Sequence, residues 1–353
     1  MRWLLAVALV AVTTVAAART TTFPSPQPDA QTVTIYGSTD TWAMRPVIAD
    51  FQQAHPGVAV RYVELVANVL DRRFRDEVAR GTETADLLVS SAMDLQTKLV
   101  NDGYARPYRS GQTEWLPQWA RWRDRAFGFT FEPAVIVYDP DRLSPEEVPH
   151  NRFDLIRVLR ESPERFRGRV GTYDIVDSGV GYLFASQDSL QASTYGRLIE
   201  SFGRTRVQLA CCTLDLFQAI ERGELLIGYN LLGSYARARI EAGSSLRMIL
   251  PEDYTLVLAR VAVVPKAAAR PGLAERFLDY LLSVRGQSVL AQQSSLYAIH
   301  PAVTGEGSAD ALRRRARGPL RPIGLGPGLM VYLDEMKRER FIDEWRASVI
   351  VPE

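Results

Sequence analysis

Histidine and cysteine are the scarcest chemistry-bearing residues of this chain, with three histidines (His55, His150, His300) and two cysteines (Cys211, Cys212) among 353 residues. The histidines lie far apart, and no HExxH, CxxC or similar metal-ligand spacing occurs. A phosphate loop and a nucleophile elbow are also missing, so no common catalytic motif promotes an enzyme. Charge of one sign is not in excess. Lys+Arg 42 against Asp+Glu 41 leaves +1, which gives no global field for nucleic acid or a membrane surface. Lysine is nearly absent (Lys98, Lys266, Lys337), a preference for arginine that reads as codon bias. Against these absences stand 46% hydrophobic and 24% charged residues, which exclude a mainly disordered chain. The length exceeds what one core usually serves, so two lobes are expected.

The only long apolar run is at the start. Met1-Arg2-Trp3 precedes a largely apolar run of fourteen residues, Leu4 to Ala17, with Ala16-Ala17-Ala18 as small residues for cleavage. That layout predicts a cleavable secretory signal peptide over residues 1–18; an uncleaved anchor is the alternative. Fourteen residues fall short of the about 20 that a spanning helix needs. No cysteine ends the run, so a lipid anchor is not expected. The mature chain is expected to be periplasmic and soluble.

Export bears on Cys211 and Cys212, because cysteines in an oxidising compartment usually pair. Three readings stand: a small buried hydrophobe, a vicinal disulfide that closes no useful loop, and a nucleophile at a helix start.

Apolar periodicity then alternates. Thr32 to Tyr36 predicts a strand breaking into Gly37 to Asp40, and Met44, Val47, Ile48 and Phe51 mark a helix stopped by His55-Pro56-Gly57. Val58 to Val63 is a second strand, and Asn68 is the expected cap of a helix carrying Leu70, Phe74 and Val78. Asp86 to Val89 is a third strand, with a helix from Asp94 to Asp102. A second block repeats the pattern: strand Val170 to Tyr173, a helix opened by Asp177 to Gly179, strand Arg206 to Leu209, helix Thr213 to Glu221, and strand Leu225 to Tyr229. Asn230 to Tyr235 begins a further helix. Two long β segments, Ala134 to Tyr138 and Thr255 to Val264, separate the blocks, and helices Leu273 to Ser283 and Arg285 to Gln293 follow. This grammar implies α/β lobes with mostly parallel sheets covered on both faces.

Taken in order, Thr34-Ile-Tyr-Gly-Ser38, Ala85 to Ser91, Phe131 to Asp139, Gly228 to Tyr235, Arg260 to Pro265 and Phe277 to Ser283 resemble a type II periplasmic solute-binding protein. The resemblance is to the group that holds ferric-iron binders and binders of phosphorylated organic anions. It implies two lobes joined by two β crossovers, with ligand in the cleft and hinge closure around it. The expected division is lobe one at residues 31–134 and 256–299, lobe two at 135–255, a linker at 19–30, and a C-terminal helical segment, 300–353, packing on lobe two.

Ligands of open α/β sheets sit beyond the strand C-termini. The loops there supply the candidate ligand residues Ser38, Thr39, Asp40, Ser90, Ser91, Ser178, Gly179, Tyr229 and Asn230. Each loop leads into a helix, whose free N–H groups and partial positive charge suit phosphate or carboxylate. One such loop alone reads as an N-cap; four at the same end of two sheets read as a site. In iron-binding relatives the resemblance implies adjacent tyrosines after the late strand. Here Gly228-Tyr229-Asn230 offers only one, with Tyr235 expected to pack.

The expectation is therefore a monomeric receptor for a small organic anion, serving an inner-membrane ABC permease, with no cofactor, metal or nucleic acid and no turnover. Ferric binding, a ligand sensor for a membrane kinase, and a cysteine-dependent transferase are the alternatives. Trp115, Trp119 and Trp122 show helical spacing and are expected to pack one helix on lobe one. Arg313 to Arg317 is a solvated basic face, and Leu329 to Trp345 a C-terminal helix.

Overall fold

The computed structural model describes residues 18–191 and 193–350. The expected signal peptide therefore lies outside the described residues, apart from Ala18. Two seven-stranded sheets form the framework. The first runs β1 (Arg19–Phe23), β3 (Val58–Glu64), β2 (Gln31–Gly37), β4 (Leu87–Ser90), β13 (Val261–Val263), β6 (Ala126–Gly128) and β5 (Arg121–Trp122). Its centre is parallel: β2 pairs with β3 and β4, and both neighbours are joined through buried Val, Ile and Leu residues. Near-continuous apolar runs are what a strand covered on both faces requires.

The second sheet runs β14 (Leu320–Pro322), β12 (Thr255–Leu258), β7 (Glu132–Tyr138), β10 (Ile227–Leu232), β8 (Val170–Tyr173) and β9 (Gln208–Ala210), with β11 (Arg247–Ile249) also on β7. Among the described residues no helix is long and apolar enough to cross a membrane.

Two short segments carry the chain directly from one sheet to the other, Phe129 to Phe131 and Ala259-Arg260, and after the helices that follow β13 it returns to the second sheet at β14. The segment expected as one strand from Thr255 to Val264 is thus two strands in two different sheets. The crossings are tied together, with Phe129 N–H donating to the Arg260 carbonyl (2.9 Å) and Arg260 N–H to Thr130 Oγ1 (2.8 Å). Beside them Arg260 Nε lies 3.6 Å from Glu132 Oε1, both side chains fully buried. Burial pushes the Glu132 carboxyl above its ordinary range, against the pull of Arg260.

Several expectations are corrected. The stretch read as a linker begins with β1, which pairs antiparallel with β3 and sets Arg19 opposite Glu64. The three tryptophans share no helix: Trp115 ends a short turn after Gly111–Glu114, Trp119 sits in a 3-10 turn, and Trp122 is in β5. All three still pack on the first-lobe core. Pro117 breaks the run, and the backbone turns left-handed at Arg123 and Asp124.

The C-terminal segment divides at Asp334, which caps helix Glu335–Val349 by accepting from Lys337 N–H (3.2 Å). That helix buries Phe341, Ile342, Trp345 and Val349 in the second-lobe core. The 3-10 turn before it, Pro327–Leu333, instead packs on first-lobe helix Met93–Asn101, while Tyr182 of lobe two donates to its Tyr332 carbonyl. The segment spans both lobes rather than lobe two alone.

Candidate functional site

A cavity of about 310 Å³ lies between the sheets, lined from lobe one by Arg19, Ser38, Asp40, Glu64 to Ala67 and Ser91. Lobe two contributes Ser178 to Val180, Cys211 to Asp215, Leu232 and Tyr235. Of the nine residues anticipated from sequence, Ser38, Asp40, Ser91, Ser178 and Gly179 reach this space.

The first-lobe wall is a set of interlocked loops. Ser38 Oγ accepts from Ser91 N–H (3.0 Å) and lies 3.3 Å from both Ser90 Oγ and Ser91 Oγ, joining the ends of β2 and β4. Ser90 stands one step back, its hydroxyl accepting from Ala92 N–H (3.2 Å). Thr39 is fully buried: Arg260 donates to its hydroxyl (2.9 Å) and Tyr62 to its carbonyl (2.5 Å). Tyr62 reaches that carbonyl across Gly37, where a Cβ would stand 1.9 Å from the phenol oxygen. Glycine at position 37 is thus a matter of close approach, and no larger residue fits without displacing Tyr62.

Asp40 and Glu64 are committed carboxylates. Glu64 Oε2 accepts from Thr41 N–H (2.7 Å) and Thr41 Oγ1 (2.5 Å), at the start of helix Thr41–Ala54. Asp40 accepts from the Tyr235 hydroxyl of lobe two (2.5 Å). Burial raises the Asp40 carboxyl above its ordinary range, an effect partly opposed by that hydrogen bond.

Several helices begin at the cavity. Those at Ala67–Ala79 and Thr213–Glu221 begin after Val66 and Cys212, which supply no side-chain hydrogen bond. Ser, Thr, Asp or Asn normally fills that position to satisfy the first N–H groups. Asn68, the expected cap, is inside the first of these helices and reaches across the cleft instead. Its Nδ2 donates to the carbonyls of Val176 and Asp177, each at 3.2 Å. Gly179 sits at this junction, where a Cβ would lie 2.9 Å from Asn68 Oδ1, 3.1 Å from Ala67 Cβ and 3.3 Å from Ala92 Cβ. Ser178 Oγ accepts from Gly181 N–H (3.2 Å), capping helix Gly179–Gln191.

Tyr229 and Asn230 stand apart from the cavity. Strand β10 does not stop at Tyr229; it runs to Leu232 through a bulge between Gly228 and Leu231, with Asn230 left-handed at φ 58°. The residues at its C-terminal end are therefore Leu232 and Gly233, and the next helix begins at Gly233. Tyr229 accepts from Arg152 Nε (2.6 Å) and donates to Asp188 Oδ2 (2.7 Å), while Asn230 Nδ2 donates to the same oxygen (2.7 Å). Tyr254 and Arg152 Nη2 reach Asp188 Oδ1 at 2.7 and 3.1 Å. This is a paired charge network within the second-lobe core, in which Arg152 Nη1 also donates to Asp253 and to the Tyr254 carbonyl, and Asn230 Oδ1 is left without a partner. Burial and Asp188 push the Tyr229 phenol upward, against Arg152.

Sequence reasoning did not reach Arg19, Glu64, Val66, Ala67, Thr213 or Leu214 as cavity residues. Cys211 and Cys212 are not inert buried thiols: they are joined in a disulfide and line the cavity. An apolar residue immediately before a strong helix start, as at Val66, was the signal available for the uncapped ends.

The family described as bacterial extracellular solute-binding protein matches residues 33–293. None of the curated proteins compared matches the chain. Among solved structures, the substrate-binding protein of an ABC transporter from Agrobacterium tumefaciens is 38% identical, with a TM-score of 0.89 over 94% of this chain and 99% of that one. AfuA from Actinobacillus pleuropneumoniae, with exogenous fructose-6-phosphate bound, is 17% identical at a TM-score of 0.73, covering 92% and 100% of the two chains. Iron-bound HitA from Pseudomonas aeruginosa is 19% identical at a TM-score of 0.68, covering 90% and 99%. With two helix-flanked α/β sheets, two direct strand-to-strand crossings and a cavity between the sheets, the chain belongs to the bacterial extracellular solute-binding proteins of ABC transporters, with the type II fold.

Proposed function

We propose that this protein is exported through its signal peptide and works in the periplasm as a monomeric receptor. It captures a small organic anion, phosphorylated or carboxylated, and presents its closed form to an inner-membrane ABC permease. The observation that carries this reading is the pair of uncapped helix starts, at Ala67 in lobe one and Thr213 in lobe two, opening into one cavity. Free N–H groups and the partial positive charge of a helix end suit an anionic oxygen. Each such end contributes about 0.3–1 kcal/mol when exposed and up to ~2 when partly buried. Ser38 and Ser91 from lobe one and Ser178 from lobe two line the same cavity, and Asp40 and Glu64 favour a ligand that also carries hydroxyl donors.

Because the ligand would touch both lobes, it would stabilise the closed form over the open one, and closure is a population shift. Ferric binding is disfavoured by the tyrosines. Tyr229 is engaged by Arg152 and Asp188 away from the cavity, and Tyr235 is bonded to Asp40. A transferase is disfavoured because Cys211 and Cys212 are bonded to each other.

The test is a thermal-shift screen of the mature protein against phosphorylated sugars and glycerates, phosphonates, di- and tricarboxylates, and ferric citrate. Binding to the folded state alone stabilises by about 2.7 kcal/mol at a hundredfold excess over Kd. A shift with one organic-anion class is the expected result. A shift with ferric ion alone, or none across the panel, overturns the anion reading. Co-purification with a permease rather than a receptor kinase separates transport from sensing.

A further inference from the structure

The vicinal pair Cys211–Cys212 is left unexplained by anion capture. A disulfide stabilises chiefly by closing a loop in the unfolded chain, and the loop between adjacent residues is negligible. Its position is more informative. The pair follows β9, Cys212 is the N-terminal flank of helix Thr213–Glu221, and both residues are partly exposed in the cavity wall. One turn into the helix is Asp215, an exposed carboxylate that also lines the cavity. Both sulfurs and one Asp215 oxygen lie within 4.8 Å of one another.

We propose that reduction of Cys211–Cys212 unmasks a site for a thiophilic cation, with Cys211 Sγ, Cys212 Sγ and Asp215 as its ligands. In the oxidised chain each sulfur is bonded to the other and is a poor donor. A dithiol reductant supplies two electrons and two protons: the Cys211–Cys212 bond breaks, the reductant's own disulfide forms, and two thiols remain. A soft divalent ion then takes both sulfurs as thiolates, releasing two protons to water. Asp215 supplies the third ligand atom, and water from the cavity completes a tetrahedral set. The helix start favours the thiolate form, since its N–H groups carry partial positive charge. This site stands independently of which solute the cavity takes.

The experiment uses the full mature protein and cadmium ion alone as the probe. Thiols are counted with a disulfide reagent before and after treatment with a dithiol, which is then removed without air. We expect no reactive thiol before reduction and two after it. We expect the reduced protein to bind one cadmium ion with a thiolate charge-transfer band in the ultraviolet, and the oxidised protein to show no band. Cys212→Ser should lose the band, and Asp215→Asn should keep it with affinity lowered about tenfold. As a second measurement that needs no variant, a trivalent arsenical should add once to the reduced wild-type chain and consume both thiols. Two thiols without reduction overturn the redox gating. Two thiols after reduction with neither band nor arsenical adduct overturn the site. Unchanged affinity in Asp215→Asn removes the carboxylate from it.

Discussion

The Tyr235 hydroxyl, at the start of a second-lobe helix, donates to Asp40 at the start of a first-lobe helix and accepts from Asp40 N–H at 3.1 Å. The contact joins the lobes at the edge of the cavity, and the Arg260 guanidinium lies 5.1 Å from the Tyr235 ring centre. Tyr235→Phe removes the donor from a half-buried carboxylate, a change that costs about 1 kcal/mol. Chemical denaturation should show that loss, and solute affinity should fall with it, because the closed form loses an interlobe bond that the open form does not make.

Val66 stands where a capping side chain would. Val66→Asp should accept from the first N–H groups of helix Ala67–Ala79 and raise stability by about 0.5–2 kcal/mol. The same carboxylate would occupy the space proposed for the ligand's anion. A higher melting temperature together with lost anion binding in calorimetry is expected; retained affinity would remove this helix start from the site.

Gly179 lets the second-lobe helix start approach Asn68, Ala67 and Ala92. Gly179→Ala places a methyl 2.9 Å from Asn68 Oδ1 and 3.1 Å from Ala67 Cβ, so closure should be hindered. Within lobe two the change is tolerable, since alanine suits a helix better than glycine. Small-angle scattering with saturating ligand should report a larger radius of gyration than wild type, and affinity should drop by about tenfold or more.

Tyr229 tests whether the Asp188 network is structural. Tyr229→Phe leaves Arg152 Nε and Asp188 Oδ2 short of one partner each, costing about 1–3 kcal/mol of stability. Solute affinity should stay within about twofold, because that hydroxyl does not reach the cavity.

Asp94 is fully buried near the start of helix Met93–Asn101, and its Oδ1 has no hydrogen-bond partner. Burial raises its pKa to about 7 from 3.8, opposed by the local backbone N–H groups and by Arg338, with Asp71 adding to the rise. Between those values the folded chain holds a proton that the unfolded chain has released. Stability from this group is therefore complete below pH 3.8 and is lost as pH rises through about 7. In melting curves from pH 5 to pH 8, the stabilisation given by Asp94→Asn should grow with pH.

The sequence alone determined the elements and their order. Apolar residues at helical spacing fixed helix Thr41–Ala54 through Met44, Val47, Ile48 and Phe51, and the run from Val58 had to become a strand buried on both faces. Local rules suffice there because periodicity and breakers act over a few residues. The same rules located Ser38, Ser91 and Ser178 at strand ends that open on the cavity.

Only tertiary structure decided what those rules could not. The bulge at Asn230 moved the end of β10 three residues on and turned Tyr229 away from the cleft, because pairing to β7 continues past it to Leu232. Asn68 gave up a capping position to bridge the lobes, and Arg19 joined the cavity through pairing with Glu64 from 45 residues away in sequence. Sulfur placement was decided in the same way: adjacency made the Cys211–Cys212 bond conceivable, but only packing set it in the cavity wall. A cleft between lobes is built from contacts distant in sequence, and short-range pattern carries no record of which distant residue will stand opposite.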